Sequence, residues 1–285
     1  MRNPRWPGTQ QSRFGYRGAN VSCIVTAKGL VTVDSPFLPR DAREWADRIR
    51  QLTGREIAYQ INTDHHFDHV IGNTFLTDKV ITHATAARGL SFLRDKKVLR
   101  EAVLITFPDT DEDSLRDIDD LQIPAPLITF NRSLTLDMGD ATIILEFLGG
   151  HSPGTILTYL KEDRAVFTGD NVEALFPAFG EARFNAWIQA LEKMLSMDID
   201  LVVPGHGPVG GKELIERFRA FFQSIHGEVK GFARNGFTPE QMLEQSTVID
   251  FFSMEEMKKE GITRNWLGDQ YKRAAMLILA EEKET

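Results

Sequence analysis

The sequence predicts an α/β (α+β) protein in which two sheets pack together with helices on the outside. Stretches typical of strands and of helices come in two rounds along the chain, each β-rich first and helical afterwards. The chain has 285 residues, of which 42% are hydrophobic and 26% charged. That length and composition are ordinary for a globular protein with a substantial core.

The first round begins with a hairpin, a helix and a strand. Residues 20–35, NVSCIVTAKGLVTVDS, predict two short strands joined by a turn at a Lys-Gly pair. Residues 38–54 predict a helix, because a proline stands in the first turn, apolar residues recur at helical spacing and a glycine ends the run. Residues 55–62, REIAYQIN, alternate as a strand does and lead directly into the stretch TDHHFDH.

The middle of the chain continues this round and opens the next. We expect a helix from about Asp68, a short strand at residues 79–83 and a helix at about 85–94. Residues 109–120 form an acidic patch. Residues 128–171 contain five apolar segments separated by turn residues, which favours one antiparallel sheet.

The second half is mainly helical. Residues 184–197 carry apolar residues on one helical face, and residues 199–207, IDLVVPGHG, predict a strand that ends in a loop. Residues 211–234 predict a long helix, and the last fifty residues predict two or three more.

Charge and composition exclude several classes of partner. The formal net charge of −8 and the lack of a basic stripe argue against nucleic-acid binding. No apolar run reaches the roughly 18 residues that a membrane span needs. The first residues lack a hydrophobic signal core, so we expect a cytoplasmic protein. The one cysteine, Cys23, excludes an intramolecular disulfide.

Metal-binding residue types are concentrated in four short loops. They occur in INTDHHFDHVIGN (61–73), GGHSPGT, FTGDN and PGHG, each at or near the end of a predicted strand. Small neighbours let the backbone turn sharply and bring a side chain into a crowded centre. Imidazoles and carboxylates without a thiolate suit zinc, iron or manganese, and seven such ligands fit two neighbouring ions better than one tetrahedral ion.

The order of these residues resembles the metallo-β-lactamase superfamily. The family's first motif is H-x-H-x-D-H, followed by a lone histidine, a bridging aspartate and a last histidine. The matching residues here are Asp64, His66, Asp68, His69, His151, Asp170 and His206. The resemblance extends over about residues 19–210 and is strong in GHSPGTI, VFTGD and VVPGHGP.

The resemblance implies a fold, a domain division and a ligand set. The fold would be a four-layer αββα sandwich with the metals at one edge. We expect an N-terminal arm at 1–18, the αββα domain at 19–235 and a C-terminal helical extension packed on it at 236–285. One ion would be held by Asp64, His66 and His151, a second by Asp68, His69 and His206, and Asp170 would bridge them.

The first position of the motif departs from the family, because Asp64 stands where the family has histidine. Asp64 could still ligate, which would favour harder metals such as manganese or iron. It could fail to ligate, leaving a one-metal enzyme of weak activity. In a third interpretation the neighbouring His65 takes over, but on an extended loop residue 65 points away from residues 64, 66 and 68.

Other residues are candidates for supporting roles. The aspartate that matches Asp34 supports the first-motif loop through hydrogen bonds in the family, and a turn-forming role for Asp34 is the alternative. His65 would support the site or belong to the core. Phe37, Phe67, Phe176 and Phe179 lie in loops next to the motifs, where they would line an apolar substrate pocket or pack in the core.

The leading functional prediction is a metal-dependent hydrolase. A metal-bound hydroxide would attack a small carbonyl substrate such as a thioester, a lactone or a related ester or amide, with Asp68 as the catalytic residue that orients it. The cofactor would be two divalent ions, zinc first, with manganese or iron as alternatives at the site containing Asp64. The competing hypotheses are an iron-dependent oxidoreductase of the persulfide dioxygenase type and a non-catalytic descendant of the family. The partner is a small molecule, and the oligomeric state is left open.

Overall fold

The architecture is two five-stranded sheets packed face to face. The protein is described here by a computed structural model covering residues 18–107, 109–259 and 262–283, and the statements that follow concern those ranges. Residues 1–17 of the predicted N-terminal arm lie outside them.

The first sheet has the strand order β1-β2-β3-β4-β5. Its strands are β1 (Ser22–Thr26), β2 (Gly29–Val33), β3 (Ile57–Ile61), β4 (Val80–His83) and β5 (Ile128–Phe130). β1 and β2 form the predicted hairpin, and β2 to β5 pair in parallel. Parallel pairing places the carboxyl ends of β2 and β3 at the same edge, where ligand-type residues follow both strands.

The second sheet has the order β10-β9-β8-β7-β6. Its strands are β6 (Ser133–Asp137), β7 (Thr142–Phe147), β8 (Ile156–Leu160), β9 (Ala165–Phe167) and β10 (Leu201–Val203). β6 to β9 are antiparallel, whereas β10 lies parallel to β9. Both sheets therefore contain an antiparallel pair followed by a parallel neighbour. The candidate ligands follow the parallel strands β3, β9 and β10, except His151, which follows the antiparallel strand β7.

One strand is in a different sheet from the one predicted. β5 belongs to the first sheet, where Ile128 pairs with Ile81 of β4, and the chain crosses to the second sheet before β6 begins at Ser133. The prediction of one antiparallel sheet over residues 128–171 was wrong for β5. An apolar segment of three residues indicates a strand, but it does not specify which neighbour it pairs with.

Helices occupy both outer sides of the sandwich. Those of the first half are α1 (Pro39–Thr53), α2 (Phe67–Val70), α3 (Asn73–Leu76), α4 (Ala84–Phe92), α5 (Lys96–Thr106) and α6 (Glu112–Asp119). Those of the second half are α7 (Phe184–Ser196), α8 (Glu213–Arg234), α9 (Pro239–Gln245), α10 (Met254–Lys259) and α11 (Arg264–Glu281), with 3-10 turns at Gly169–Asn171 and Val248–Asp250. No helix in the described ranges combines the length and the apolar character that crossing a bilayer requires.

The acidic stretch contains a helix that the sequence reading missed. The Asp111 carboxylate accepts a hydrogen bond of 2.8 Å from the Ser114 backbone N–H, so it caps α6. Leu115 and Ile118 on the same helix are buried. Capping and one apolar face therefore turn part of this charged segment into a regular element.

The hydrophobic residues divide into layers that confirm the predicted sandwich. Ile24, Val31 and Ile61 of the first sheet share a buried cluster with Ile143 and Leu145 of the second. This cluster is the interface between the two sheets. Clusters on the outer sides of the sheets complete the α-β-β-α order.

The C-terminal helices share a core with the helices on the second sheet. Tyr271 and Ile278 of α11 belong to the same buried cluster as Trp187 of α7 and Phe222 of α8. The Tyr271 hydroxyl also donates a 2.9 Å hydrogen bond to the Glu228 carboxylate on α8. The last segment therefore packs against the sandwich through apolar contacts.

We predict that Phe222→Ala lowers the free energy of unfolding by about 3–5 kcal/mol, because Phe222 is fully buried among aromatic rings. The matched control is Phe92→Ala, since Phe92 is 70% exposed and should change stability by less than about 0.5 kcal/mol. Urea denaturation of both variants measures the difference. Equal effects of the two substitutions would contradict this description of the core.

Candidate metal centre

The candidate ligands converge at one edge of the sandwich. The motif loop follows β3, His151 lies in the loop between β7 and β8, Asp170 lies in the 3-10 turn after β9, and His206 follows β10. All of these segments leave the sheets at the same end, so residues from distant parts of the chain meet in space.

The first group consists of four side chains whose ligand-type atoms all lie within 4.8 Å of one another, namely Asp64, His66, His151 and Asp170. The distance from Asp64 Oδ2 to His66 Nδ1 is 2.7 Å, and that from His66 Nδ1 to His151 Nε2 is 3.1 Å. His151 Nε2 lies 3.4 Å from Asp170 Oδ2. Nitrogen and oxygen atoms therefore point toward a common centre.

The second group consists of Asp68, His69 and His206, again with ligand-type atoms within 4.8 Å of one another. His206 Nε2 lies 3.3 Å from Asp68 Oδ2. Asp68 and His69 both belong to the short helix α2, whereas His206 comes from the loop after β10.

Asp170 lies between the two groups. Its Oδ2 atom is 3.3 Å from His69 Nε2 and 3.4 Å from His151 Nε2, and its Oδ1 atom is 3.6 Å from His206 Nε2. One carboxylate thus faces imidazoles of both groups. This is the position that the sequence resemblance implies for a bridging ligand.

Gly205 makes room for this carboxylate. A Cβ atom at position 205 would lie 1.9 Å from Asp170 Oδ1 and 2.8 Å from the Asp170 backbone nitrogen. Real side chains do not approach so closely, so the glycine of the PGHG loop allows the loop that carries His206 to close over Asp170.

Two buried carboxylate oxygens in the centre indicate whether these residues are suited to bind a metal. Asp64 Oδ2 and Asp170 Oδ1 are inaccessible to solvent and have no hydrogen-bond partner among the described residues. Asp64 Oδ2 is only 2.7 Å from His66 Nδ1, but the geometry is not that of a hydrogen bond. Buried carboxylate oxygens normally require a partner. Cations would supply it, so the donor set fits divalent metal ions.

The pKa values of the imidazoles reflect the carboxylates concentrated in this centre. Burial alone would lower the pKa of His66, but the Asp64 carboxylate raises it to about 9. For His206 burial is likewise outweighed by Asp170 and Asp68, which raise its pKa to about 10. Burial lowers the pKa of His151 to about 4. The carboxylates that favour a positive charge on these two imidazoles would equally favour a bound cation, and metal binding would compete with protons for the imidazole nitrogens.

Asp34 supports both the motif loop and one candidate ligand. Its carboxylate accepts hydrogen bonds from the Thr63 backbone N–H (2.8 Å), the Thr63 hydroxyl (2.7 Å) and His69 Nδ1 (2.9 Å). The contact with Asp34 holds a proton on His69 Nδ1 and directs Nε2 of the same ring toward Asp170. Asp34 has a φ of 56°, a left-handed conformation that aspartate adopts more readily than most residues.

His65 lies outside both groups. Its ring stacks on that of His66 with centroids 4.9 Å apart, and its Nε2 atom is 3.3 Å from Glu181 Oε2. Asp64, by contrast, is fully buried within the first group. Of the two residues, Asp64 is the one whose carboxylate lies with His66, His151 and Asp170 in the first candidate group.

The aromatic residues that were pocket candidates are mostly core residues. Phe176 and Phe179 are 1% exposed and belong to the cluster beneath α7 and α8, so the structure corrects their expected place at a pocket mouth. Phe37 is fully buried against Phe67 and Phe107. Phe67 is the partly exposed member of the four. The others were misplaced because a phenylalanine near a motif can point inward as easily as outward.

Sequence reasoning missed two residues next to the centre. Asn171 accepts a hydrogen bond from the His151 backbone N–H (3.0 Å) and donates one to the Gly149 carbonyl (2.7 Å), so it holds the loop of His151. Glu173 is buried, and its backbone pairs with that of His206. Asn171 directly follows Asp170 in FTGDN, which is a signal that could have identified it. No pattern marks Glu173.

Sequence comparisons identify the family. The model of the metallo-beta-lactamase superfamily matches residues 15–206. A metallo-beta-lactamase type 2 from Bacteroides fragilis is 30% identical over 47% of this chain, and the match spans about half of that relative, 53% of its length. The acyl-coenzyme A thioesterase MBLAC2 from Homo sapiens is 24% identical over 76% of this chain and 84% of its own length.

Solved structures show the same fold. A metallo-beta-lactamase family protein from Thermus thermophilus covers 93% of this chain and 89% of its own, with 20% identity and a TM-score of 0.64. The sec-alkylsulfatase Pisa1 from Pseudomonas sp. covers 90% of this chain and 46% of its own, with 16% identity and a TM-score of 0.69. These likenesses show the fold, and the family match over residues 15–206 establishes that the chain belongs to the metallo-beta-lactamase superfamily, a family of metal-dependent hydrolases.

Proposed function

We propose that the protein hydrolyses a small carbonyl substrate, a thioester, a lactone or a related ester or amide, with two divalent metal ions as cofactor. The observation that carries the proposal is the position of Asp170 between two groups of imidazoles and carboxylates. A carboxylate shared by two ligand groups is suited to hold two ions side by side.

The ligand assignment follows the two groups. Asp64, His66 and His151 would hold one ion, and Asp68, His69 and His206 the other, with Asp170 shared. When bound, the ions would supply Lewis acidity toward the substrate oxygen and lower the pKa of water. Zinc is the first candidate, because neutral imidazoles and carboxylates are its usual ligands in catalytic sites.

Asp68 is the proposed catalytic residue. Its carboxylate lies 3.3 Å from His206 Nε2, and its side chain is 13% exposed, so it reaches the centre while touching solvent. We assign to it the orientation of the attacking water and the acceptance of its proton. His206 on one side and the rest of the motif loop on the other restrict where that carboxylate can point.

Asp34 and His65 are proposed as supporting residues. Asp34 orients His69 through the 2.9 Å contact described above. His65 packs on His66 and restricts the rotation of that ring.

Two observations favour a thioester as the substrate class. The relatives named acyl-coenzyme A thioesterase align over 76% of this chain, which favours a thioester. Phe67, next to the candidate ligand His66, is partly exposed and packs edge-on against Phe37 at 5.6 Å between ring centroids. Phe67 would offer an acyl group an apolar contact at the entrance to the centre.

Asp64 supports a second candidate function. It makes the first group richer in oxygen than the family's histidine would, which favours iron or manganese. An iron-dependent oxidoreductase of the persulfide dioxygenase type is therefore the alternative. Metal analysis of protein purified without added metal distinguishes the two functions, because one iron with oxygen uptake on substrate would favour the alternative.

We predict that hydrolysis by the purified protein depends on bound metal. A panel of thioesters, lactones, β-lactams and phosphodiesters should include a thioester or lactone that is turned over, and removal of metal by a chelator should abolish that turnover until zinc is added back. Turnover that survives complete metal removal, or no turnover of any carbonyl substrate in the metal-loaded protein, would contradict the proposal.

We predict that Asp64→Asn weakens metal binding at the first group by at least about 10-fold, because the neutral amide cannot replace a carboxylate ligand. Asp64→His restores the family motif and should keep two zinc ions. Asp137→Asn is the matched control, since that side chain is 82% exposed. Competition with a chromogenic chelator measures the affinity. Unchanged binding by Asp64→Asn would show that Asp64 is not a ligand.

We predict that Asp34→Asn weakens metal binding at the second group by about 10- to 100-fold. Asparagine can still accept the hydrogen bond from Thr63 but no longer fixes the His69 proton on Nδ1 by its charge. The same chelator competition, with Asp137→Asn again as control, measures the change. An effect on unfolding alone, with metal affinity intact, would limit Asp34 to a structural role.

A further inference from the structure

A third cluster of ligand-type side chains lies on the outer side of the first group. His65, His66 and Glu181 each place one ligand-type atom within 4.8 Å of the others. His65 Nε2 is 3.3 Å from Glu181 Oε2. Glu181 comes from the loop before α7, so the cluster joins this loop to the motif loop after β3.

His65 is held firmly in this cluster. A Cβ atom at Gly89 of α4 would lie 2.1 Å from His65 Cδ2, so the imidazole lies against the bare backbone of the helix. The imidazole of His65 also stacks on the ring of His66, and the angle between the two ring planes is 29°. Packing between α4 and His66 leaves the ring little freedom, and its Nε2 atom stays directed at Glu181.

The chemistry of the cluster suits a divalent metal. Two histidines and one glutamate form a ligand set that holds zinc in known enzymes and leaves a fourth position to water. The Glu181 side chain is 50% exposed and that of His66 is 31% exposed, so an ion can enter from solvent. His65 is the one ionisable group that contacts the Glu181 carboxylate within the described residues.

His66 belongs to both the outer cluster and the first group. Its Nδ1 atom lies 2.7 Å from Asp64 Oδ2 and 3.1 Å from His151 Nε2. A neutral imidazole carries one lone pair on nitrogen, because its other nitrogen bears the proton. His66 can therefore ligate one ion at a time, and an ion held in the outer cluster removes a ligand from the first group.

We propose that His65, His66 and Glu181 form an outer divalent-metal site that competes with the catalytic centre for His66, so that excess zinc inhibits the enzyme. The inhibitory part rests on the proposed function, whereas binding of the extra ion does not. The outer site should bind zinc more weakly than the first group, because the carboxylate of Glu181 is half exposed whereas those of Asp64 and Asp170 are buried.

The test compares Glu181→Gln with the wild-type protein, and Glu192→Gln serves as control. Glu192 is matched in exposure at 51%, pairs with Arg219 and lies on α7 outside the centre. Equilibrium dialysis against increasing zinc should give one more zinc equivalent for the wild type and for Glu192→Gln than for Glu181→Gln. We expect the affinity for this last equivalent to fall at least about 10-fold in Glu181→Gln.

A second measurement follows the competition for His66 directly. Release of isotopically labelled zinc from the inner groups should accelerate at excess unlabelled zinc in the wild type and in Glu192→Gln, but not in Glu181→Gln. With a substrate in hand, excess zinc should inhibit hydrolysis by the wild type and by Glu192→Gln. Hydrolysis by Glu181→Gln should not be inhibited.

Binding and function can fail separately. The outer site would be overturned if Glu181→Gln still bound the additional zinc equivalent. It would also be overturned if the additional zinc bound to the wild type without changing the rate at which the inner zinc exchanges. If zinc exchange behaved as expected but the protein hydrolysed no substrate, the proposed function would be overturned and the outer site would stand.

Discussion

The burial of several carboxylates around one cluster of imidazoles is the constraint on which the rest of the structure depends. Asp64 and Asp170 are almost inaccessible to solvent, and each has an oxygen without a hydrogen-bond partner among the described residues. Burying such charges without compensation costs several kcal/mol or more for each ion. Protonated histidines compensate in part, since the pKa of His206 is raised to about 10. Divalent cations would compensate more completely.

The fold provides this crowding through strand ends and small residues. β2 with β3, and β9 with β10, are parallel neighbours, so the loops that follow them leave the two sheets at one edge. The glycine at position 205 lets the His206 loop approach Asp170 closely, and Asp34 ties the start of the motif loop to the end of β2. The scaffold thereby brings the candidate ligands together, and such an arrangement favours tight and ordered metal binding.

The sequence predicted much of the fold, because periodicity and turn residues are local signals. The β1–β2 hairpin and the helix α1 (Pro39–Thr53), which Gly54 caps, follow directly from such signals and are present. Strand partners are not local, so β5 was placed in the wrong sheet. Side-chain direction is equally hard to predict. For Phe176 and Phe179 the sequence left a pocket lining and the core both open, and the structure places both residues in the core.

The candidate site was predictable to the extent that its chemistry is concentrated in motifs. The aspartates and histidines of the four loops stood out by residue type and by their small neighbours, and the structure brings them together. Three other residues did not stand out, because their roles depend on contacts between distant parts of the chain. Asn171 accepts a hydrogen bond from the His151 backbone, Glu173 pairs with the backbone of His206, and Glu181 lies close to His65.

The most direct measurement is a crystal structure of the zinc-loaded protein with anomalous scattering recorded on both sides of the zinc absorption edge. We expect two strong peaks, one on each side of the Asp170 carboxylate, with Asp64 in contact with the ion nearer to His151. Fewer than two peaks next to the Asp170 carboxylate would contradict a two-metal centre built on this carboxylate.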